Sequence, residues 1–271
     1  MSGHAASDHG ASPEEAPDPG GPDEATQEGL RRDPAQALEV LRTGRLEIVG
    51  RLVDASNTTL YATVTAGSDQ DPITAACVYK PIRGERPLDD FPVGTLGDRE
   101  VAAYLVSAAS EWDVVPPTVL RDGPYGEGMV QLWIEIDPEV DVLELILTRD
   151  PRLRPMALFD AIVENGDRKG GHVLPTMDGH LHGCDHGVCF SRDPKLRTVL
   201  WGWRGEALTG QEREGVARVH DALLGTLGDQ LRELLAEAEV RATVLRAERL
   251  LRDGCMPMPA LDRPVIPWPP F

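Results

Sequence analysis

Six histidines and cysteines, His172, His180, His182, Cys184, His186 and Cys189, fall within the eighteen residues from 172 to 189. Such a density of imidazole and thiol suggests a transition-metal site. Two acids, Asp167 and Asp185, bracket most of the same run, as two acids do in a phosphoryl-transfer site. The stretch NGDRKGGHVLPTMDGHLHGCDHGVCF (165 to 190) therefore offers two chemistries. On a strand, His180, His182, Cys184 and His186 would all point to one face, where they could seat a zinc ion. Against this, consecutive ligands on one strand span too far to close on one ion, and neither C-x-x-C nor H-E-x-x-H accompanies them. The acids account for the stretch better than the imidazoles do. A zinc-dependent protein built on residues 172 to 189 is the alternative.

The surrounding elements begin with β-type patterning. LEIVGRLVD (46 to 54) and TTLYATVTA (58 to 66) are apolar, β-branched runs joined by ASN, which predicts a hairpin. ITAACVYKP (73 to 81) is a third strand closed by Pro81, and residues 82 to 98 form a loop rich in Gly, Pro and Asp. GDREVAAYLVSAASEW then places Val101, Tyr104, Leu105 and Ala108 on a helical stripe. PPTVLRD and GMVQLWIEI give two more strands. From about residue 139 the periodicity is helical: VDVLELILT and RPMALFDAIVENG carry apolar stripes, and Gly166 stops the second. Short strands are expected at HVLP and GVCF. Residues 210 to 252 are predicted helical with breaks near Gly225 and Gly228, before a proline-rich tail.

Ahead of the strands, PAQALEVLRTG (34 to 44) is a short helix with Pro in its first turn and Gly44 at its end. Residues 1 to 29 hold seven acids and no Lys or Arg, so a disordered acidic leader is expected over 1–33. No internal repeat is visible.

Composition narrows the partners. The formal charge of −18 provides no basic footprint for nucleic acid and repels an anionic bilayer. No run approaches the roughly 20 apolar residues of a membrane span. Four cysteines are too few for a disulfide framework, which points to a reducing, cytoplasmic setting. The 27 basic residues include only three lysines, Lys80, Lys169 and Lys195, so each retained ammonium is a candidate for a specific task.

The order of elements resembles the protein-kinase-like fold: five strands with one helix after the third, a connector near 134 to 137, then a helical lobe with acidic loops. Within it, the chain most resembles the divergent branch around the phosphatidylinositol 3- and 4-kinases, and an actinobacterial family distantly related to them. The similarity runs from about residue 45 to 250. Three places carry it: Lys80 in CVYKP, Asp167-Arg168-Lys169 in NGDRKGGH, and Asp185-His186-Gly187 in CDHG.

The resemblance implies an α+β, two-lobed fold, with a small five-stranded antiparallel N-lobe over 34–136 and a mainly helical C-lobe over 137–271. It implies ATP as cofactor with Mg2+ or Mn2+. Lys80 would grip the phosphates, braced by Glu100. Asp167 would orient an acceptor hydroxyl, with Lys169 neutralising the transferred group. Asp185 would hold the metal with His172, which stands where the family pattern has Asn. Glu135 and Ile136 would offer backbone groups to adenine. The turn DASNTT lacks the phosphate-covering glycines, so Ser56 and Asn57 would supply donors instead. The acceptor expected is a hydroxyl of a soluble small molecule or a protein. A nucleotide-binding module without turnover, a pseudokinase, is the second reading.

Overall fold

The computed structural model describes residues 22–52, 57–68 and 70–271. Its β lobe is one antiparallel sheet of strands β1 (Arg45–Leu52), β2 (Thr59–Ser68), β3 (Asp71–Pro81), β4 (Thr118–Gly123) and β5 (Gly126–Leu132), in the order β1-β2-β3-β5-β4. Alternation sorts its side chains. Leu60, Ala62 and Val64 of β2 join Ala75, Cys77 and Tyr79 of β3 in one buried cluster. The opposite alternation carries Lys80, which sits across from Met129 in the register of β3 with β5.

Two helices cover the buried face, α1 (Glu24–Arg32) and α2 (Pro34–Thr43). The second was foreseen; the first corrects the expected leader. The expectation of disorder over 1–33 fails for Glu24–Arg32, and residues 1–21 lie outside the described residues. The Asp23 side chain accepts from Thr26 N at 3.1 Å, Glu24 opens the helix, and Arg31 and Arg32 close it, so both ends complement the helix dipole.

Gln27 anchors α1 beside the connector. Its amide donates to the carbonyls of Ala76 (3.1 Å) and Trp133 (2.6 Å) and accepts from Ala76 N (2.8 Å). Gln27→Ala leaves those buried groups unpaired, at a cost of about 2 kcal/mol. The melting temperature should fall by roughly 4–8 °C; an unchanged thermal scan would mean α1 is not an integral part of the lobe. Arg31 extends the anchor to the other lobe by pairing with Asp178.

The helix α3 (Leu96–Ser110) lies between the sheet and the helical lobe, with Ala102, Ala103 and Val106 in the second and larger core. That core is built on α5 (Arg154–Val163), α6 (Gly210–Leu223), α7 (Thr226–Leu234) and α8 (Glu237–Asp253), while α4 (Val142–Thr148) packs at its margin. The break expected near Gly225 occurs, that near Gly228 does not, since Gly228 lies inside α7, and Leu235 and Ala236 make another before α8. The fold is thus α+β and two-lobed.

The remaining strands form a hairpin, β6 (Val173–Pro175) with β7 (Leu181–Gly183). The expected strand at HVLP is found and pairs with LHG; the strand expected at GVCF does not form. Positive φ at Asp185 (61°) and Phe190 (68°) breaks any extended run through GVCF. The proline-rich tail returns to the loop after α5: Gly170 N donates to Pro270 O at 2.8 Å. A Cβ on Gly170 would lie 1.9 Å from the Phe271 ring, so glycine here lets the ring pack onto the loop.

Candidate active site

One ammonium bridges the lobes. Lys80 Nζ lies 2.7 Å from Glu100 Oε1 on α3 and 2.8 Å from Asp185 Oδ1 in the loop after β7. Burial by itself lowers the lysine pKa, but Asp185 and Glu100 outweigh it and the net shift is upward. Lys80 in turn holds the Asp185 carboxyl well below the usual carboxylate range. The ion pair is therefore fully charged at neutral pH. Glu100 is 2% exposed, and its second oxygen accepts from His186 N at 2.8 Å, which fixes both α3 and the loop relative to the lysine.

Asp185 itself is held in a left-handed conformation, a sparsely populated state that occurs often at functional positions. Gly187 two residues on lets this loop close against α3; a Cβ there would meet Leu96 Cβ at 3.3 Å. His172 joins from the neighbouring loop, with Nε2 at 3.4 Å from Asp185 Oδ2. The two positions expected to hold metal therefore face one another.

Asp167 and Lys169 form a second pair, Nζ to Oδ2 3.2 Å, and the Asp167 backbone N–H donates to Asn165 Oδ1 at 2.9 Å. Between the two acids stands Arg168, fully buried, paired with the fully buried Asp160 of α5 at 2.9 Å. Its guanidinium also donates to the carbonyls of His172 (3.3 Å) and Cys184 (3.1 Å), and to His186 Nε2 at 2.7 Å. One cation thus ties the Asp167 loop to the Asp185 loop. Because His186 Nε2 accepts from Arg168, that imidazole is neutral; burial first and Arg168 second hold its pKa well below the ordinary value.

Sequence reasoning missed Asp160, Asn165 and the role of Arg168. The available signal was an acid inside the apolar stripe MALFDAIV, which has no place in a core without a buried cation.

Three recesses surround these groups. Asn57, Thr58, Lys80, Glu100, Asp185 and Gly187 line a small one of about 20 Å³. Asp167, Gly166, Val188, Lys195 and Arg197 line one of about 690 Å³ with Asp89, Asp90 and the tail at Asp262–Pro264. Glu135 and Ile136 line a third of about 580 Å³ together with α1 and the turn after β6. The first and third share no residue, so the connector residues expected to meet adenine face α1 as well. Asn57 Oδ1 accepts from Arg86 N at 2.9 Å, and Ser56 lies outside the described residues. All three lysines fall at this site: Lys80 and Lys169 in its ion pairs, Lys195 beside Asp167 in the large recess.

The alternative zinc set does not assemble. Among the described residues, His180 and His182 gather with Asp113, whereas Cys184 and His186 do not join them. Burial, reinforced by Asp185, pushes the Cys184 thiol up to about 12, so it is a poor source of thiolate.

Buried imidazoles make the protein acid-sensitive. Burial lowers the pKa of His172, His182 and His186, that of His182 to about 3. In the unfolded chain each takes a proton near pH 6.5, so below that pH the unfolded state binds more protons and stability falls as pH falls. Each such proton costs about 1.4 kcal/mol per pH unit. Asp185 contributes only in stronger acid, because its depressed folded value keeps its contribution whole above the unfolded value of 3.8. Melting temperature should be level above pH 7 and drop steeply between pH 6.5 and 5; a level profile across that window would contradict neutral burial of these rings.

A β lobe whose lysine pairs with a glutamate of α3, set against a helical lobe bearing two acidic loops, makes the chain a two-lobed α+β fold. Within that class it belongs to the family of protein Rv2133c of Mycobacterium tuberculosis, to which it is 42% identical over 267 residues, covering 86% of this chain and 94% of that protein. No protein-family model matches the chain. Among solved structures, the crystal structure of a Helicobacter pylori proinflammatory kinase, CtkA, is similar over 80% of this chain and 94% of that one, at 9% identity and a TM-score of 0.48. No helix of the described residues is long and apolar enough to cross a membrane.

Proposed function

We propose that the chain is an ATP-dependent phosphotransferase of the phosphatidylinositol 3-/4-kinase-like branch, transferring the γ-phosphoryl group to a hydroxyl of a soluble acceptor in the cytoplasm. The observation that carries this reading is Lys80 Nζ held between Glu100 and Asp185. That ammonium is aimed and charged for a phosphate oxygen, and Glu100 keeps it aimed when Asp185 turns to another ligand. Asp167 borders the large recess, where an acceptor hydroxyl would reach its carboxylate. Lys169 Nζ, already 3.2 Å from Asp167, would neutralise charge on the transferred group.

Asp185 and His172 fit a divalent ion: the Asp185 side chain is 44% exposed, and the imidazole faces the same carboxylate. When bound, that ion would offset phosphate charge. An imidazole donor favours Mn2+ over Mg2+. The charge of −18 argues against nucleic acid and anionic lipid as acceptors, and a polyol or a protein hydroxyl fits better.

His172 also favours a second reading, nucleotide binding without turnover, because an imidazole stands where the resemblance has an amide ligand. ATP consumption by the purified full chain with Mn2+ or Mg2+, across polyol and peptide acceptors, separates the two. Turnover that Asp167→Asn lowers by about 10²–10⁴-fold supports the enzyme. Saturable ATP binding with no turnover in any combination supports the module. Absence of ATP binding overturns both.

A further inference from the structure

The histidines unused by phosphoryl transfer meet an acid from the other lobe. His182 of β7 and His180 just before it turn to one side, with ring centroids 4.4 Å apart. Asp113, in the loop from α3 to β4, completes the group: one donor atom from each of the three residues lies within 4.8 Å of the others. His182 is fully buried, and neither of its ring nitrogens has a hydrogen-bond partner. Native proteins pair nearly all such groups, and an orphaned buried imidazole is a reason to look for an ion. His180 Nε2 points the same way, 2.8 Å from Asp113 O and 3.8 Å from Asp113 Oδ2.

We propose that Asp113, His180 and His182 form a binding site for a zinc-type divalent ion, separate from the cleft, with a water from the exposed Asp113 side as fourth donor. Two imidazoles and a carboxylate are a donor set for late transition metals rather than for Mg2+ or Ca2+, which prefer oxygen alone. Zinc bonds of about 2.0–2.1 Å set tetrahedral donors roughly 3.4 Å apart. Closing the present triangle to that size would require His180 and Asp113, both partly exposed, to rotate, with His180 Nε2 leaving the Asp113 carbonyl. His182 is already in the neutral form that ligates, since burial suppresses its protonation.

The site would act as a staple. Gly183 N already donates to Val114 O at 2.7 Å, so β7 and the α3–β4 loop are in contact next to the three donors. An ion there would fix the β-lobe loop to the hairpin that runs on to Asp185, three residues beyond His182.

Zinc chloride titrated into full-length protein stripped with a chelator tests this. The expected result is one saturable equivalent of zinc and a rise in melting temperature. Asp113→Asn and His180→Ala should each weaken zinc binding at least tenfold while keeping the zinc-free melting temperature, and Asp185→Asn, which removes the carboxylate of the cleft pair, should still bind one equivalent of zinc. His182→Gln should abolish binding; if it does not fold, the two partly exposed positions decide. Absence of saturable binding, or unchanged affinity in both Asp113→Asn and His180→Ala, overturns the proposal.

Discussion

Lys80→Ala should lose the thermal stabilisation that ATP confers on the wild-type chain. At ATP a hundredfold above its dissociation constant, ligand linkage is worth about 2.7 kcal/mol. For a chain of this size that is a rise of roughly 5–10 °C. Removing the ammonium removes the phosphate contact and also leaves Glu100, 2% exposed, without its cation, so the apo protein should melt lower as well. Asp185→Asn separates the two effects. It keeps the Lys80–Glu100 pair and the loop's backbone, yet removes the carboxylate expected to hold the ion. Its apo melting temperature should fall less than that of Lys80→Ala, because the Lys80–Glu100 pair remains, while the ATP-dependent rise disappears. Differential scanning fluorimetry with ATP and Mn2+ reads both quantities. Wild-type nucleotide affinity in both variants would mean that the triphosphate does not meet this triad.

The largest loss of stability should come from Arg168→Met. Both members of the Asp160–Arg168 pair are fully buried, and removing one leaves an uncompensated charge in the core. Such a change costs about 3–5 kcal/mol, roughly 6–20 °C in melting temperature. Adding Asp160→Leu removes the orphaned charge, and much of that loss should return. Activity should not return with it. The carbonyls of His172 and Cys184 lose the donor that joins their loops, and His186 loses the partner that fixes its tautomer. Arg168 is thus a positioning residue. A double variant that recovers both stability and ATP turnover would show that the ion pair serves folding alone.

Much of the β lobe was legible because its signals are local. β-branched runs, turn residues and the stop at Pro81 define β1 to β3 without reference to anything distant. Lys80, Glu100, His172 and Asp185 were legible as a group through resemblance, and the structure brings these four together. Asp167 and Lys169 lie in the loop that Arg168 ties to the Asp185 loop. What escaped depends on tertiary context. In α1, the acids and glycines of the preceding residues mask a short amphipathic helix whose anchors, Gln27 and Arg31, acquire meaning only against Trp133 and Asp178. The choice of LHG over GVCF for β7 follows from pairing with β6 and from left-handed residues at 185 and 190, which composition does not reveal. Asp113 lies 67 residues from His180, beyond any spacing rule.

The central claim is that one ammonium from the sheet and two acids from the helical lobe meet a single triphosphate. A crystal structure of the full chain with a non-hydrolysable ATP analogue and Mn2+ tests it most directly. The account predicts phosphate oxygens within hydrogen-bond distance of Lys80 Nζ, the ion on Asp185, and the γ-phosphate turned toward Asp167. An analogue bound in the recess between α1 and the connector, with its phosphates away from Lys80, would contradict it.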